Sequence, residues 1–197
     1  MNNIKTKTIA LVASLAALMA ITRFNHFGTA VSMPDASLAI FFLGGLYLAR
    51  HARASMAAFL LLIFEAGLVD YYATSVQGIS DWCITPAYSF LIPAYGSLWM
   101  AGRWFALRFT MEGRKLAGLA MVAWAASSFA FILSNVAFYW FSGYFAEMNA
   151  AEFISRVAQY YGSYVSVTLL YIACAVGIQM MFGVIGRQRA HLPSDVA

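Results

Sequence analysis

The sequence predicts an all-α integral membrane protein: a bundle of six transmembrane helices with both termini in the cytoplasm. Three observations predict it. Of the 197 residues, 62% are hydrophobic and 10% charged, against roughly half and about a quarter in a soluble domain, and the mean hydropathy is +0.73. The apolar residues gather into six runs, at 8–23, 36–49, 56–76, 86–102, 116–141 and 158–186. The basic residues fall between those runs with a strong bias to one side. Together these exclude a water-soluble globular domain, a disordered chain and a coiled coil. The presence of only 2 cysteines excludes a disulfide scaffold. Residues 1–197 read as a single domain.

A bilayer core of about 30 Å takes roughly 20 apolar residues of helix. The first run follows Lys5 and Lys7, an arrangement shared with signal peptides. Five further runs follow it and Arg23 stands directly after it, so it reads as a retained first helix. Along it, the pairs Ala13/Ala17 and Ala16/Ala20 place small residues four apart, which lets helix backbones approach closely. That face serves either packing inside the bundle or docking of another membrane protein. The second and fourth runs are shorter, yet both continue in Ala-, Leu- and Phe-rich sequence to a basic stop. The third carries Glu65 and Asp70, and Tyr160, Tyr161 and Tyr164 stand at the mouth of the sixth.

Threading six helices from a cytoplasmic N-terminus leaves ten of the 12 Lys and Arg residues inside, all but Arg23 and Arg156. Excess Lys and Arg marks the cytoplasmic side. Asp35, Asp81, Glu147 and Glu152 then lie in outer connections, at 24–35, 77–85 and 142–157, and Asp70 lies near an outer helix end. Those connections are rich in aromatic, Gly and polar residues, the makings of an extracytoplasmic binding site. No Walker GxxxxGK[ST] or HExxH motif occurs, and no His lies within a run. ATP hydrolysis and membrane hydrolase chemistry are therefore disfavoured.

Cys83, in the segment Asp81-Trp82-Cys83-Ile84-Thr85-Pro86, is the first candidate for chemistry. Cys174 lies about 14 residues into the sixth run, roughly 20 Å deep, whereas a disulfide needs Cα atoms within about 7 Å. An internal bridge is not expected, so Cys83 is either filler or a soft ligand for a metal, and Cys174 is a packing residue. Glu65 and Asp70 are candidates because a carboxylate inside a membrane is expensive unless paired or wetted. Five residues apart, they do not form one two-carboxylate site. Asp70 can reach water or an outer ligand, or bond to neighbouring backbone. Glu65 needs an internal partner such as Asn135 or a hydroxyl. Arg156 is either a snorkelling interface arginine or a donor to a polar or anionic ligand group. Tyr71, Tyr72, Tyr88, Tyr95 and Trp82 form an aromatic collar, read as an interface belt or as contacts for a large organic ligand.

On these residues the chain resembles the substrate-binding S-components of energy-coupling factor (ECF) vitamin transporters. Within that group, Thr22-Arg23-Phe24-Asn25-His26-Phe27-Gly28, Met33-Pro34-Asp35-Ala36-Ser37 and Asp81-Trp82-Cys83 are similar to the BtuM family of small bacterial cobalamin transporters. The resemblance covers essentially the whole chain and implies several expectations. The fold is an S-component-like bundle in the bacterial inner membrane, binding cobalamin (vitamin B12) on the periplasmic side. Cys83 ligates cobalt with the lower base displaced and supports removal of cyanide from cyanocobalamin, so transport is joined to a cysteine-dependent decyanation. Asp70, Tyr88 and Arg156 support the pocket. Asn25, Gln77, Ser80, Thr85, Ser89 and Gln159 are available to the corrin amides. The Ala13/Ala17 and Ala16/Ala20 face is available to an energising module, although the family is described as solitary. The competing readings are an S-component-like transporter for another vitamin or metal, a membrane thiol-redox or assembly factor, and a purely structural subunit.

Overall fold

The computed structural model describes residues 2–23, 33–109 and 115–190, the side chains of 2–4 and 183–190 excepted. The described residues form six α-helices and no strand. These are α1 (Asn2–Thr22), α2 (Ser37–Tyr47), α3 (Ala52–Ser75), α4 (Leu91–Arg108), α5 (Leu116–Phe141) and α6 (Ala150–Ala190). A 3-10 turn, Pro86–Phe90, leads into α4. Four of the helices, α1, α3, α5 and α6, are long and apolar enough to cross a membrane. This is the make-up of a membrane-embedded helical protein.

The helices coincide with the six apolar runs, but α2 differs from its run in a way that shapes the whole bundle. It has 11 residues, which at 1.5 Å per residue is about 16 Å, roughly half of a bilayer core. The run from Ser37 to Tyr47 is apolar on every side, and a helix of that kind belongs in the interior. Nine of its residues are buried. Packing is heaviest against α4, with α1, α3 and α6 closing the other sides. Phe41 stacks on Tyr95 with ring centroids 4.2 Å apart, and the Trp99 indole N–H donates to Ser55 Oγ at 3.0 Å.

Two glycines set the α2–α4 approach. A Cβ on Gly45 would fall onto the Trp99 carbonyl, and one on Gly102 onto the Phe42 carbonyl. Close backbone contact between helices is the use that small residues have in membrane proteins.

A half-length helix leaves irregular backbone at its ends, and inside a membrane every such polar group needs a protein partner. Ala36 N–H donates to Thr22 Oγ1 at 3.2 Å, and Ser37 N–H donates to Asp35 Oδ1 at 2.8 Å. Tyr171 of α6 donates its hydroxyl to the Pro34 carbonyl at 2.8 Å. Asp35 thus holds the start of α2 by a side chain bonded to the backbone two residues on, while the N-cap residue Ala36 has no side-chain cap.

Three connections are shorter than the sequence predicts. α3 begins at Ala52, inside the 50–55 connection. α4 runs on to Arg108, so Arg103 is helical. α6 begins at Ala150, because Asn149 Oδ1 accepts from Glu152 N–H at 2.9 Å. Asn at the cap followed by an acid in the first turn is a strong helix start, and it turns the second half of the 142–157 connection into helix. Arg156 therefore sits in the second turn of α6.

Candidate functional site

The polar centre of the structure is built on Arg23, which follows directly after α1. It extends a buried stripe of α1, Leu15 and Met19, by one more four-residue step, so its side chain enters the bundle. Only 2% of it is exposed. The guanidinium fork grips the Asp70 carboxylate: Nε donates to Oδ1 at 2.8 Å and Nη2 to Oδ2 at 2.7 Å. Nη1 donates to Ser37 Oγ and to the Tyr95 hydroxyl, both at 2.8 Å. Ser37 Oγ passes its own hydrogen to Asp35 Oδ1 at 2.6 Å, and Asp35 Oδ2 lies 3.8 Å from Nη1. A bidentate arginine–carboxylate pair is strong and directionally fixed.

Asp70 reaches this position because it lies on the buried stripe Ala58, Leu62, Ala66, Ala73 of α3, residues three or four apart from one another or from Asp70 that share one helix face. Its Oδ2 accepts a further hydrogen bond from the Tyr88 hydroxyl at 2.6 Å. Tyr88 belongs to the 3-10 turn, whose first bond runs from Tyr88 N–H to the Thr85 carbonyl at 2.8 Å. Thr85 N–H donates in turn to the Cys83 carbonyl at 3.0 Å, and Ile84 N–H to the Asp81 carbonyl at 2.7 Å. Residues 81–88 are a succession of tight turns ending on Asp70.

Cys83 is free and exposed within that segment, as is Cys174 on α6. Its thiol lies within electrostatic reach of Asp70. Partial burial pushes the thiol above its ordinary value, and the Asp70 charge pushes it the same way. At neutral pH the group is held as a thiol, and a metal binding it must displace the proton. On the other flank of Cys83, Trp82 stacks on Tyr144 with centroids 3.8 Å apart and planes 7° from parallel. Behind this stack, Phe138, Tyr139, Phe145 and Phe153 make a continuous set of ring contacts. The 77–85 connection is thereby fastened to the α5–α6 connection.

The predicted site residues separate on this geometry. Asp70 and Tyr88 are bonded to each other and Cys83 lies beside them. Arg156 pairs with Glu152 on its own helix, N···O 2.7 Å, with its side chain 60% exposed. Of the aromatic collar, Tyr95 is buried in the Arg23 cluster, while Tyr71, Tyr72 and Trp82 are exposed. Asn135 bonds to the Phe131 carbonyl, and the charge that reaches Glu65 is that of Arg23. Ser80, Ser89 and Gln159 are engaged in local bonds. The Thr85 hydroxyl is buried with no hydrogen-bond partner among the described residues. Asn25 lies outside the described residues. Cys174, expected to pack inside, faces outward.

Arg23 and Ser37 are the members that the sequence analysis did not single out as site residues, and Tyr95 entered it only as part of the aromatic collar. Charge counting assigned Arg23 to topology, whereas its four-residue spacing from Met19 was the signal that it faces inward. The Ala13/Ala17 face of α1 is exposed, and Ala16 and Ala20 are partly buried. A cleft of about 360 Å³ opens between α3 and α4, lined among others by Ile63, Gly67, Ile92, Tyr88 and Tyr95. Among the described residues no three His, Cys, Asp or Glu side chains converge as a metal site.

No protein-family model matches the chain, and no curated protein matches it.

Proposed function

We propose that this chain is an inner-membrane cobalamin-binding and uptake protein in which Cys83 ligates the cobalt. The observation that carries the reading is the free, exposed Cys83 thiol mounted between the Trp82–Tyr144 stack and the Arg23–Asp70–Tyr88 cluster. A single protein donor is enough for a metal that brings its own macrocycle, since the corrin supplies four nitrogens. A thiolate is a soft, strongly donating ligand suited to cobalt in that setting. The similarity of residues 22–28, 33–37 and 81–83 to the BtuM family supports the same ligand. In this reading both termini lie in the cytoplasm, the short α2 completes one of the six crossings together with the irregular backbone at its ends, and the Cys83 end faces the periplasm.

The thiol also accounts for cyanide removal without an added oxidant or reductant. Cys83 loses its proton and sulfur bonds to cobalt as the benzimidazole nitrogen leaves. Cyanide departs from the opposite face with the cobalt–carbon electron pair and takes up a proton. Cobalt stays trivalent throughout. Asp70, bonded to Tyr88, acts on the thiol through its charge, and exposed rings such as Trp82 and Tyr144 offer contact to apolar faces of the ligand.

The test is the absorbance spectrum of detergent-purified protein mixed with cyanocobalamin, beside its Cys83→Ala variant. A corrin spectrum shifted in the wild type and unshifted in the variant, with free cyanide released only by the former, is the expected result. Identical spectra would leave a corrin binder in which Cys83 is incidental. Absence of bound corrin in both would remove the vitamin assignment.

A further inference from the structure

Cys83 sits on a short segment fastened at two points, and the polar fastening leads back to a residue on a different helix. Tyr88 N–H closes on Thr85 and Thr85 N–H closes on Cys83, so a displacement of Tyr88 is transmitted to the thiol through two tight turns. The Tyr88 hydroxyl is held by Asp70 Oδ2 at 2.6 Å. That oxygen is itself held at 2.7 Å by Arg23 Nη2, while Nε holds Oδ1 at 2.8 Å. A carboxylate gripped at both oxygens cannot rotate, and it presents a fixed acceptor to Tyr88.

We propose that Arg23 is a positioning residue for Cys83: by locking the Asp70 carboxylate it fixes Tyr88, and through the 83–88 turns it sets where the thiol stands. Charge alone does not do this. A lysine at 23 would neutralise Asp70 but is a point charge on a flexible stem, without the planar fork. Arg23→Lys therefore separates geometry from charge. Tyr88→Phe cuts the same path one step further along.

The experiment uses the full chain in a Cys174→Ala background, leaving Cys83 as the one thiol. Arg23→Lys, Tyr88→Phe and the double variant are compared, at temperatures below their melting transitions, by two readouts. The first is the rate of Cys83 labelling by N-ethylmaleimide at fixed pH. The second, which rests on the cobalamin reading, is the rate of cyanide release together with the shifted corrin spectrum. Removing a residue that orients a metal ligand typically lowers activity by about tenfold or more. Each single variant is expected to label faster than the wild type and to release cyanide about tenfold more slowly. The double variant is expected to be no worse than either single, because residues acting through one contact do not add.

Wild-type labelling in Arg23→Lys, or single effects that multiply in the double variant, would overturn the proposal. Tyr88→Phe removes one hydroxyl only and decides the same question should Arg23→Lys fail to accumulate: unchanged labelling there breaks the path. If the wild type binds no cobalamin, the cobalamin reading falls on that result, and the labelling rates still decide the role of Arg23.

Discussion

The two arginines that charge counting placed together on the outer side make opposite predictions for stability. Arg156 and Glu152 are 60% and 46% exposed and four residues apart on α6. Exposed pairs of that kind contribute about 0.3–0.5 kcal/mol. The Arg23–Asp70 pair has side chains 2% and 10% exposed and a closest N···O distance of 2.7 Å. With an effective dielectric of about 20, the Coulomb attraction at that separation is roughly 6 kcal/mol before desolvation is subtracted. Removing one partner of such a pair typically costs about 3–5 kcal/mol, because the other charge is left buried and unpaired. Arg23→Gln strands Asp70 with Tyr88 alone, and also strips donors from Ser37 and Tyr95. For a chain of this size each kcal/mol moves the melting temperature by about 2–4 °C, so the expected loss is on the order of 10 °C. Arg156→Gln should move it by no more than about 2 °C. Intrinsic tryptophan fluorescence during a thermal ramp in detergent measures both. Equal, small shifts would refute the buried pair.

Three further outcomes follow from the same structure. Gly102→Ala should lower the melting temperature, since its Cβ meets the Phe42 carbonyl and overpacking of this kind costs about 1–3 kcal/mol. Gly177→Ala, with open space around its Cβ, should be neutral or stabilising by up to about 1 kcal/mol, and the same thermal ramp compares them. Thr85→Val should leave the melting temperature unchanged or raise it, because the hydroxyl it removes is buried without a partner among the described residues. The third outcome concerns pH. Burial first, and then the Asp70 charge, raise the Cys83 thiol. Deleting that charge in Asp70→Asn should move the inflection of the alkylation pH profile downward. An unchanged or upward-moving inflection would refute the coupling.

Much of the helical layout was legible because apolar runs are long-range signals that no single residue can mask. α5 occupies the run read for it, 116–141, residue for residue. Boundaries depended on single side chains and were less visible: the Asn149 cap adds eight residues to the front of the sixth run. The length of α2 was illegible for a different reason. The run 36–49 is as apolar as a span, and hydropathy does not distinguish a helix facing lipid from one enclosed by four neighbours. The glycines that bring α4 against it, Gly45 and Gly102, are far apart in sequence and mean something only once paired. For the site, residue types were visible and partnerships were not. Asp70 stood out as an intramembrane carboxylate and Cys83 as a lone outer thiol, while Tyr88 was one of the aromatic collar and took a pocket role only from the resemblance. That Asp70 is neutralised from α1 required knowing that Arg23 continues the Leu15–Met19 stripe.

A buried ion pair is weak evidence of a stabilising role, since replacing both partners with apolar side chains of similar volume is often neutral or favourable by about 1–4 kcal/mol. The Arg23–Asp70 pair therefore calls for another reason. Within the cluster, Asp70 takes the Arg23 fork on one side and the Tyr88 hydroxyl on the other, and so links Arg23 to the 3-10 turn. An apolar pair would fill the space and keep the helices together, but would offer Tyr88 nothing to bond. The double replacement Arg23→Met with Asp70→Leu separates the two roles. If the pair is present for stability, the double variant melts well below the wild type, and the chemistry of Cys83 fails with the fold. If it is present to seat Tyr88, the double variant melts at or above the wild-type temperature and yet labels at Cys83 like Tyr88→Phe. The second outcome is expected. A stable double variant whose Cys83 labels at the wild-type rate would show that the thiol is positioned by the Trp82–Tyr144 stack alone.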